Sequence, residues 1–128
     1  MSEKIKFEIE VPIKTSVGIL YNMISTPSGF TDWFCDDVNI DREIYTFFWD
    51  GVGEKAELLR SKKNEFTRFK WEEDEDEKTY FELRIKIDAI TKDVALVVTD
   101  FSDTEEDVEE DKIFWSSQIV DLKRVIGA

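Results

Sequence analysis

The segment TPSGFTDWFCDDV, Thr26–Val38, has the most unusual composition in this chain of 128 residues, because it combines a proline, a glycine, two large aromatic types and the single cysteine. Thr26 can cap a helix whose first residue is Pro27, where the missing amide hydrogen is not needed. Pro27 and Gly29 also break the chain after the preceding helix. The aromatic residues that would anchor this short helix are Phe30, Trp33 and Phe34. The segment therefore predicts a corner between two helices.

Cys35, followed by Asp36 and Asp37, could instead suggest a thiol or metal site. A structural or catalytic zinc site needs several Cys or His ligands, and the chain has one Cys and no His. A reactive thiol needs a basic neighbour to lower its pKa, whereas its sequence neighbours here are acids. We therefore interpret this stretch as structural, and we expect no catalytic residue, no metal site and no cofactor.

Upstream of the corner, the chain begins with one strand and one helix. Alternate residues of Lys4–Val11 are apolar, which is typical of a half-buried strand, and Pro12 should end it. Thr15 or Ser16 can cap the helix that follows. Its apolar side would consist of Val17, Leu20, Tyr21 and Ile24.

Downstream of the corner, the pattern predicts about six strands. VNIDREIYTFFWDG would form two strands that end at a Gly51–Gly53 turn, and the next two strands would meet at a Lys63–Asn64 turn. DVALVVTDF is more uniformly apolar and is expected inside the sheet. In TYFELRIKIDAI, the residues predicted to face inward are Phe81, Leu83, Ile85 and Ile87, and those predicted to face outward are Glu82, Arg84, Lys86 and Asp88. Short strands separated by turns predict an antiparallel meander.

The last segment, Thr104 to Ile126, predicts one long helix that ends at Gly127. Ser102 or Asp103 can each begin a capping box at its start. Its apolar stripe contains Val108, Trp115, Ile119, Leu122 and Ile126. A helix with one apolar stripe must cover the sheet, so the sequence predicts a single domain over residues 1–128.

The net charge of −13 comes entirely from two acidic runs, Glu72–Glu77 with six acids and Asp103–Asp111 with seven. Without them the chain has 17 acids and 17 Lys and Arg residues. This balance disfavours binding to nucleic acid and to anionic membranes. No apolar run is long enough for a membrane span and the first residues do not resemble a signal peptide, so we expect a cytoplasmic protein.

The order of these elements resembles the α+β helix-grip fold of the START-like (SRPBCC) superfamily, which includes the birch-pollen allergens. The residues that carry the resemblance are LYNMISTPSGFTDWFCDDV, YTFFWDG, LVVTDF and the terminal WSSQIVDLKRVIG. Within the superfamily, the chain is most similar to homologues of the activator of heat-shock-protein ATPase and to small bacterial START-like proteins. The resemblance implies a curved sheet of about seven strands, a long C-terminal helix across it, and a cavity between them for a lipid or another hydrophobic molecule.

Strand alternation and the helix stripe predict which residues would line such a cavity. The predicted ligand-binding residues are Phe47, Trp49, Phe69, Trp71, Phe81, Leu83, Trp115, Gln118 and Ile119. Gln118 and Ser116 would be the polar groups that orient a ligand. The alternative is that the same rings simply fill the core.

The two acidic runs should meet at one pole, since alternate turns of a meander lie at the same end of the sheet. The Gly51–Gly53 turn and the N-terminus belong to this end, which surrounds the cavity mouth in the relatives. We hypothesise that this acidic pole repels anions and admits neutral or cationic ligands. Solvated loops, a docking face for a basic partner and a divalent-ion site are the alternatives.

The leading functional prediction is non-enzymatic binding of a hydrophobic small molecule or lipid. The second is a protein-interaction module resembling the chaperone ATPase activators, and the third is a cyclase-like enzyme. Ile113 and Val120 lie off the apolar stripe and are candidates for a weak dimer seam, so the protein is expected to be a monomer or a weak homodimer.

Overall fold

The structure, a computed structural model, describes residues 4–76 and 78–127 and contains a seven-stranded antiparallel sheet with three helices. The strands are β1 (Ile5–Pro12), β2 (Asp37–Asp41), β3 (Ile44–Trp49), β4 (Val52–Lys62), β5 (Phe66–Trp71), β6 (Phe81–Ile87) and β7 (Val94–Ser102), and the helices are α1 (Val17–Met23), α2 (Pro27–Trp33) and α3 (Glu105–Ile126). The strand order is β1-β7-β6-β5-β4-β3-β2. Strands β2 to β7 thus form a meander, and β1 pairs with the last strand. The predicted α+β helix-grip fold is confirmed.

The corner between α1 and α2 depends on Gly29. A Cβ atom at this position would lie only 2.1 Å from the carbonyl oxygen of Asn22, so no larger residue fits without a backbone shift. The hydroxyl of Thr26 accepts a hydrogen bond from the Gly29 amide at 3.0 Å, and Pro27 occupies the first helical turn. The predicted cap and proline position are therefore confirmed.

Helix α3 begins later than either predicted capping box. Its N-cap is Thr104, whose side chain accepts from the Asp107 amide. Ser102 is unavailable as a cap because it is still paired with Ile5 in the sheet, and its hydroxyl donates to Asp111 at 2.5 Å. Gly127 ends the helix with a φ of 75°, as predicted.

Two residues of β6 depart from the predicted pattern of alternating burial. Glu82 lies on the outer face of the sheet, yet only 6% of it is exposed, because Arg68 and Arg84 cover its carboxylate. Ile87 was expected to be buried but is 50% exposed, because it ends the strand beside the exposed turn at residues 88–93.

The outer side of α3 carries exposed apolar residues. Ile113 and Val120 are 64% and 59% exposed, as expected for residues off the stripe. The dimer seam that they could form stays a prediction. Within residues 4–76 and 78–127, no helix combines the length and the apolar character that crossing a membrane requires.

We predict opposite effects for alanine at two glycines of the helix pair. Gly29→Ala should lower the free energy of unfolding by at least about 2 kcal/mol, because the new methyl group collides with backbone. Gly18→Ala should raise it by about 0.5–1 kcal/mol, because its Cβ meets no atom within 4 Å and alanine favours helix. Urea unfolding of both variants measures these changes in the free energy of unfolding. Equal changes in the two variants would refute the proposed role of Gly29 in the corner.

Candidate functional site

The space between the sheet and the long helix is filled with aromatic rings. Phe34 and Phe30, from the corner, insert beside Phe47 with ring centroids 5.1 and 5.2 Å away. Five of the predicted ligand-binding residues lie in this core with at most 1% exposure: Phe47, Phe69, Phe81, Leu83 and Ile119. None of the five is in the wall of the cleft described below, because Phe30 and Phe34 of the corner occupy the volume that these residues face.

Phe34 also connects the corner to the sheet and to α3 through its backbone. Its carbonyl oxygen accepts hydrogen bonds from Trp49 Nε1 at 2.8 Å and from Gln118 Nε2 at 2.7 Å. The amide of Gln118, predicted to orient a ligand, therefore holds the corner instead. Ser116, the other predicted polar group, is exposed on α3 and is not part of the cleft described next.

A cleft of about 830 Å³ opens at the end of the sheet next to the start of α3. Three of the predicted ligand-binding residues, Trp49, Trp71 and Trp115, lie in its wall. The other lining residues are Lys4, Phe34, Glu54, Lys55, Glu73, Asp74, Asp100, Phe101, Asp103, Asp107, Asp111 and Phe114. The free volume is thus at the mouth of the fold and combines rings with carboxylates.

The two acidic runs meet at this cleft, as the meander topology predicted. Lys4 joins them, since its ammonium group lies 3.3 Å from Asp74 in the first run and 3.2 Å from Asp103 in the second. Glu54 and Lys55, which follow the Gly51–Gly53 turn, complete the same rim. The strand turns, the N-terminal strand and the start of α3 therefore form one acidic pole.

Hydrogen bonds fix the conformation around Asp74 in residues 72–76 of the first acidic run, and Glu77 lies outside the described residues. Lys70 Nζ donates to the hydroxyl of Thr79 at 2.9 Å and to its carbonyl at 3.1 Å, and the Thr79 hydroxyl donates to Asp74. Burial opposes ionisation of Asp74, but hydrogen bonds from Thr79 and the Asp76 amide, together with the Lys4 ammonium, lower its pKa. Asp74 is thus a fixed negative charge in the cleft wall.

Asp100 is a largely buried carboxylate of the cleft wall. Trp115 Nε1 donates to its Oδ2 at 2.9 Å, and the Phe101 amide donates to its Oδ1 at 2.8 Å. Burial raises the pKa of Asp100 to about 6, and the nearby charges of Asp111 and Asp74 act in the same direction. Asp100 therefore changes charge close to physiological pH.

The sequence analysis missed Asp100, although strand alternation contained the signal. Leu96 and Val98 of β7 are fully buried on the inner face, and Asp100 is the next residue with the same parity. A carboxylate at an inward position of an otherwise apolar strand indicates a functional or paired group.

Cys35, which was interpreted as part of a structural stretch, lies in the core. It is 7% exposed, and burial raises the pKa of its thiol to about 12, so the thiolate that acts as nucleophile is not formed at neutral pH. Across residues 4–76 and 78–127, no group of three or more Cys, Asp or Glu side chains has the arrangement of a metal site.

Comparison with known proteins identifies the family through one profile. A profile described as "START-like superfamily domain" matches residues 1–128. The solution structure of BfR322 from Bacteroides fragilis is 36% identical, with 98% of this chain and 93% of that protein covered and a TM-score of 0.68. The Aha1 dimer from Colwellia psychrerythraea is 16% identical, with 93% of each chain covered and a TM-score of 0.76; at this identity the likeness shows the fold alone. A search of curated proteins gives no match.

We predict that Asp100 makes stability depend on pH. Its pKa is about 6 in the folded protein and 3.8 ordinarily, so its protonated form favours folding. This contribution should be lost as the pH rises from about 4 to about 6. The difference in the free energy of unfolding between the wild type and Asp100→Asn, which cannot titrate at this position, should therefore change over this range. The wild type should become less stable relative to the variant up to about pH 7, and the difference should be constant at higher pH.

The measurement combines urea unfolding of both proteins at each pH with an NMR titration of the Asp100 carboxyl carbon. A carboxyl that titrates at its ordinary pKa, with parallel stability profiles for the two proteins, would contradict the prediction.

Proposed function

We propose that this chain, which belongs to the START-like superfamily as its sequence resemblance predicted, binds a small hydrophobic molecule in the cleft at its acidic pole. The observation that carries the proposal is the combination of a cleft of about 830 Å³ with three tryptophans in its wall. Ligand sites in proteins commonly measure about 300–1,000 Å³ and are lined by aromatic side chains.

The tryptophans supply the binding energy in this proposal. Trp49 and Trp71 are only half-buried, with ring centroids 6.3 Å apart, so a ligand can still remove part of their surface from water. Such burial contributes roughly 25 cal/mol for each Å² of apolar surface. Trp115 is 2% exposed and supports the wall from α3. The ring of Phe114, which is 47% exposed, extends the apolar rim.

Charge decides which hydrophobic molecules enter. Seven carboxylates and two ammonium groups line the cleft, and one of these ammonium groups, Lys4, is already paired with two of the acids. A ligand with a carboxylate or sulfonate should therefore be repelled, most strongly at low ionic strength.

We propose binding without catalysis. The chain has no histidine, and its one cysteine is buried in the core away from the cleft. Asp100 titrates in the range of a general acid or base, but its two oxygens accept hydrogen bonds from Trp115 and Phe101, which hold the carboxylate as part of the cleft wall.

A docking face for a basic protein is the second candidate, because most acids of the pole point into solvent. The exposed members are Glu72, Glu73, Glu75, Asp103, Glu105, Glu106, Glu109 and Glu110. Such a face would bind through charge and would not depend on the half-buried rings of Trp49 and Trp71.

We predict that a neutral hydrophobic probe binds in the cleft and that its anionic analogue binds poorly. N-phenyl-1-naphthylamine should bind with increased fluorescence. 8-Anilino-1-naphthalenesulfonate, which adds a sulfonate to the same rings, should bind at least about tenfold more weakly at low salt, and added salt should narrow the difference. Native mass spectrometry of the freshly purified protein should identify any ligand that is retained.

The location is tested by Trp71→Leu, which should weaken binding of the neutral probe about fivefold or more through the lost aromatic contact. Phe48→Leu is the control, because Phe48 lies beside Trp49 on the opposite face of the sheet. Equal binding by both variants, or binding of the sulfonate as tight as that of the neutral probe, would exclude this cleft as the site.

A further inference from the structure

We propose that the cleft selects hydrophobic organic cations, such as amines attached to an aromatic ring, and that Asp100 is the residue that determines this specificity. The inference rests on the proposed function, because it names the ligand class of the same cleft. It concerns the charge of the ligand. It depends on a carboxylate in the cleft wall whose charged form does not stabilise the fold.

Two carboxylates of the sheet, those of Glu82 and Asp100, differ in the groups that surround them. Glu82, on the outer face, is neutralised by Arg68 at 2.8 Å and by Arg84 at 2.9 Å, and although burial opposes ionisation, these partners lower its pKa. Asp100, on the inner face, has no such ion pair within the described residues; its hydrogen-bond donors are an indole and an amide. The charges of two other acids, Asp111 and Asp74, raise its pKa further.

The uncompensated carboxylate is placed where a ligand can reach it together with a ring. The bond from Trp115 Nε1 fixes the Asp100 carboxylate at the edge of the aromatic wall, and both side chains line the cleft. Each carboxylate oxygen can accept two hydrogen bonds and has one donor here, so acceptor positions remain. A ligand ammonium can therefore contact Asp100 while its apolar part covers Trp71 or Trp49.

The protein itself contains both interactions that this ligand would use. On the outer face, the guanidinium of Arg68 lies 4.2 Å from the ring centroid of Tyr80, and that of Arg84 lies 4.2 Å from the ring of Phe66. At the cleft rim, the ammonium group of Lys4 lies between Asp74 and Asp103. Tryptophan is the best aromatic partner for a cation, and the cleft provides three.

A charge series on one ring system tests the inference with the full chain. The probes are 1-naphthylmethylamine, 1-naphthalenemethanol and 1-naphthoate, measured by calorimetry or by displacement of N-phenyl-1-naphthylamine at pH 7.5 and low salt. The amine should bind at least about tenfold more tightly than the alcohol, since only its ammonium group can form a charge-assisted hydrogen bond with the Asp100 carboxylate. The carboxylate should bind most weakly.

Asp100→Asn should remove most of the preference for the amine and leave the affinity for the alcohol within about twofold. Glu73→Gln is the control, because it removes one charge from an exposed part of the same wall and should change the preference by less than about threefold. Equal losses in both variants would show that general acidity, and not Asp100, selects the ligand.

Two further outcomes separate this inference from the proposed function. If the alcohol binds but the amine binds no more tightly, the inference fails and the proposed function stands; if none of the probes binds, both fail.

If the Asp100→Asn variant does not fold, the wild type still tests the inference, because its preference for the amine should decline as the pH falls below about 6. The other charged groups that face this region are Asp74, Asp103, Asp107, Asp111 and Lys4. A preference unchanged from pH 7.5 to 5 would overturn the role of Asp100.

Discussion

The ring and the carbonyl of Phe34 connect three parts of the chain that are distant in sequence. The carbonyl accepts hydrogen bonds from Trp49 on β3 and from Gln118 on α3, while the ring stacks on Trp115 with centroids 5.5 Å apart and an angle of 15°. The position of Phe34 depends in turn on Gly29, which lets α2 approach α1. Without this arrangement the long helix and the far strands of the sheet would have no common contact at the corner.

This constraint also decides where the protein can bind anything. The rings of the corner fill the interior between sheet and helix, so the volume left for a ligand lies at the end of the sheet. There, the strand turns, the beginning of β1 and the start of α3 meet, and the two acidic runs lie in this region. An apolar wall and a negative rim therefore face the same volume, and the low polarity of the rings makes the charges more effective than they would be in open water.

The contrast between Glu82 and Asp100 shows two uses of a buried carboxylate. Glu82 is enclosed by two arginines that themselves lie over aromatic rings, an arrangement that pairs the buried carboxylate within the protein. Asp100 receives only neutral donors, and burial therefore raises its pKa. A carboxylate that lowers stability when it is charged and that faces a cleft is typical of functional sites, because an uncharged residue would be enough for packing.

The sequence by itself determined the order of the elements, the corner at Pro27 and Gly29, the meander and the meeting of the two acidic runs. These follow from local rules of capping, alternation and turn placement, which act between neighbours in the chain. It could not determine which rings fill the core and which border the cleft: alternation assigns Phe69 and Trp71 to the same face, yet one is fully buried and the other is not. Only the tertiary structure decided this, because the volume that Phe30 and Phe34 occupy depends on how closely α2 packs on the sheet. The raised pKa of Asp100 has the same origin, since it depends on burial by α3 and on acids brought there by the fold.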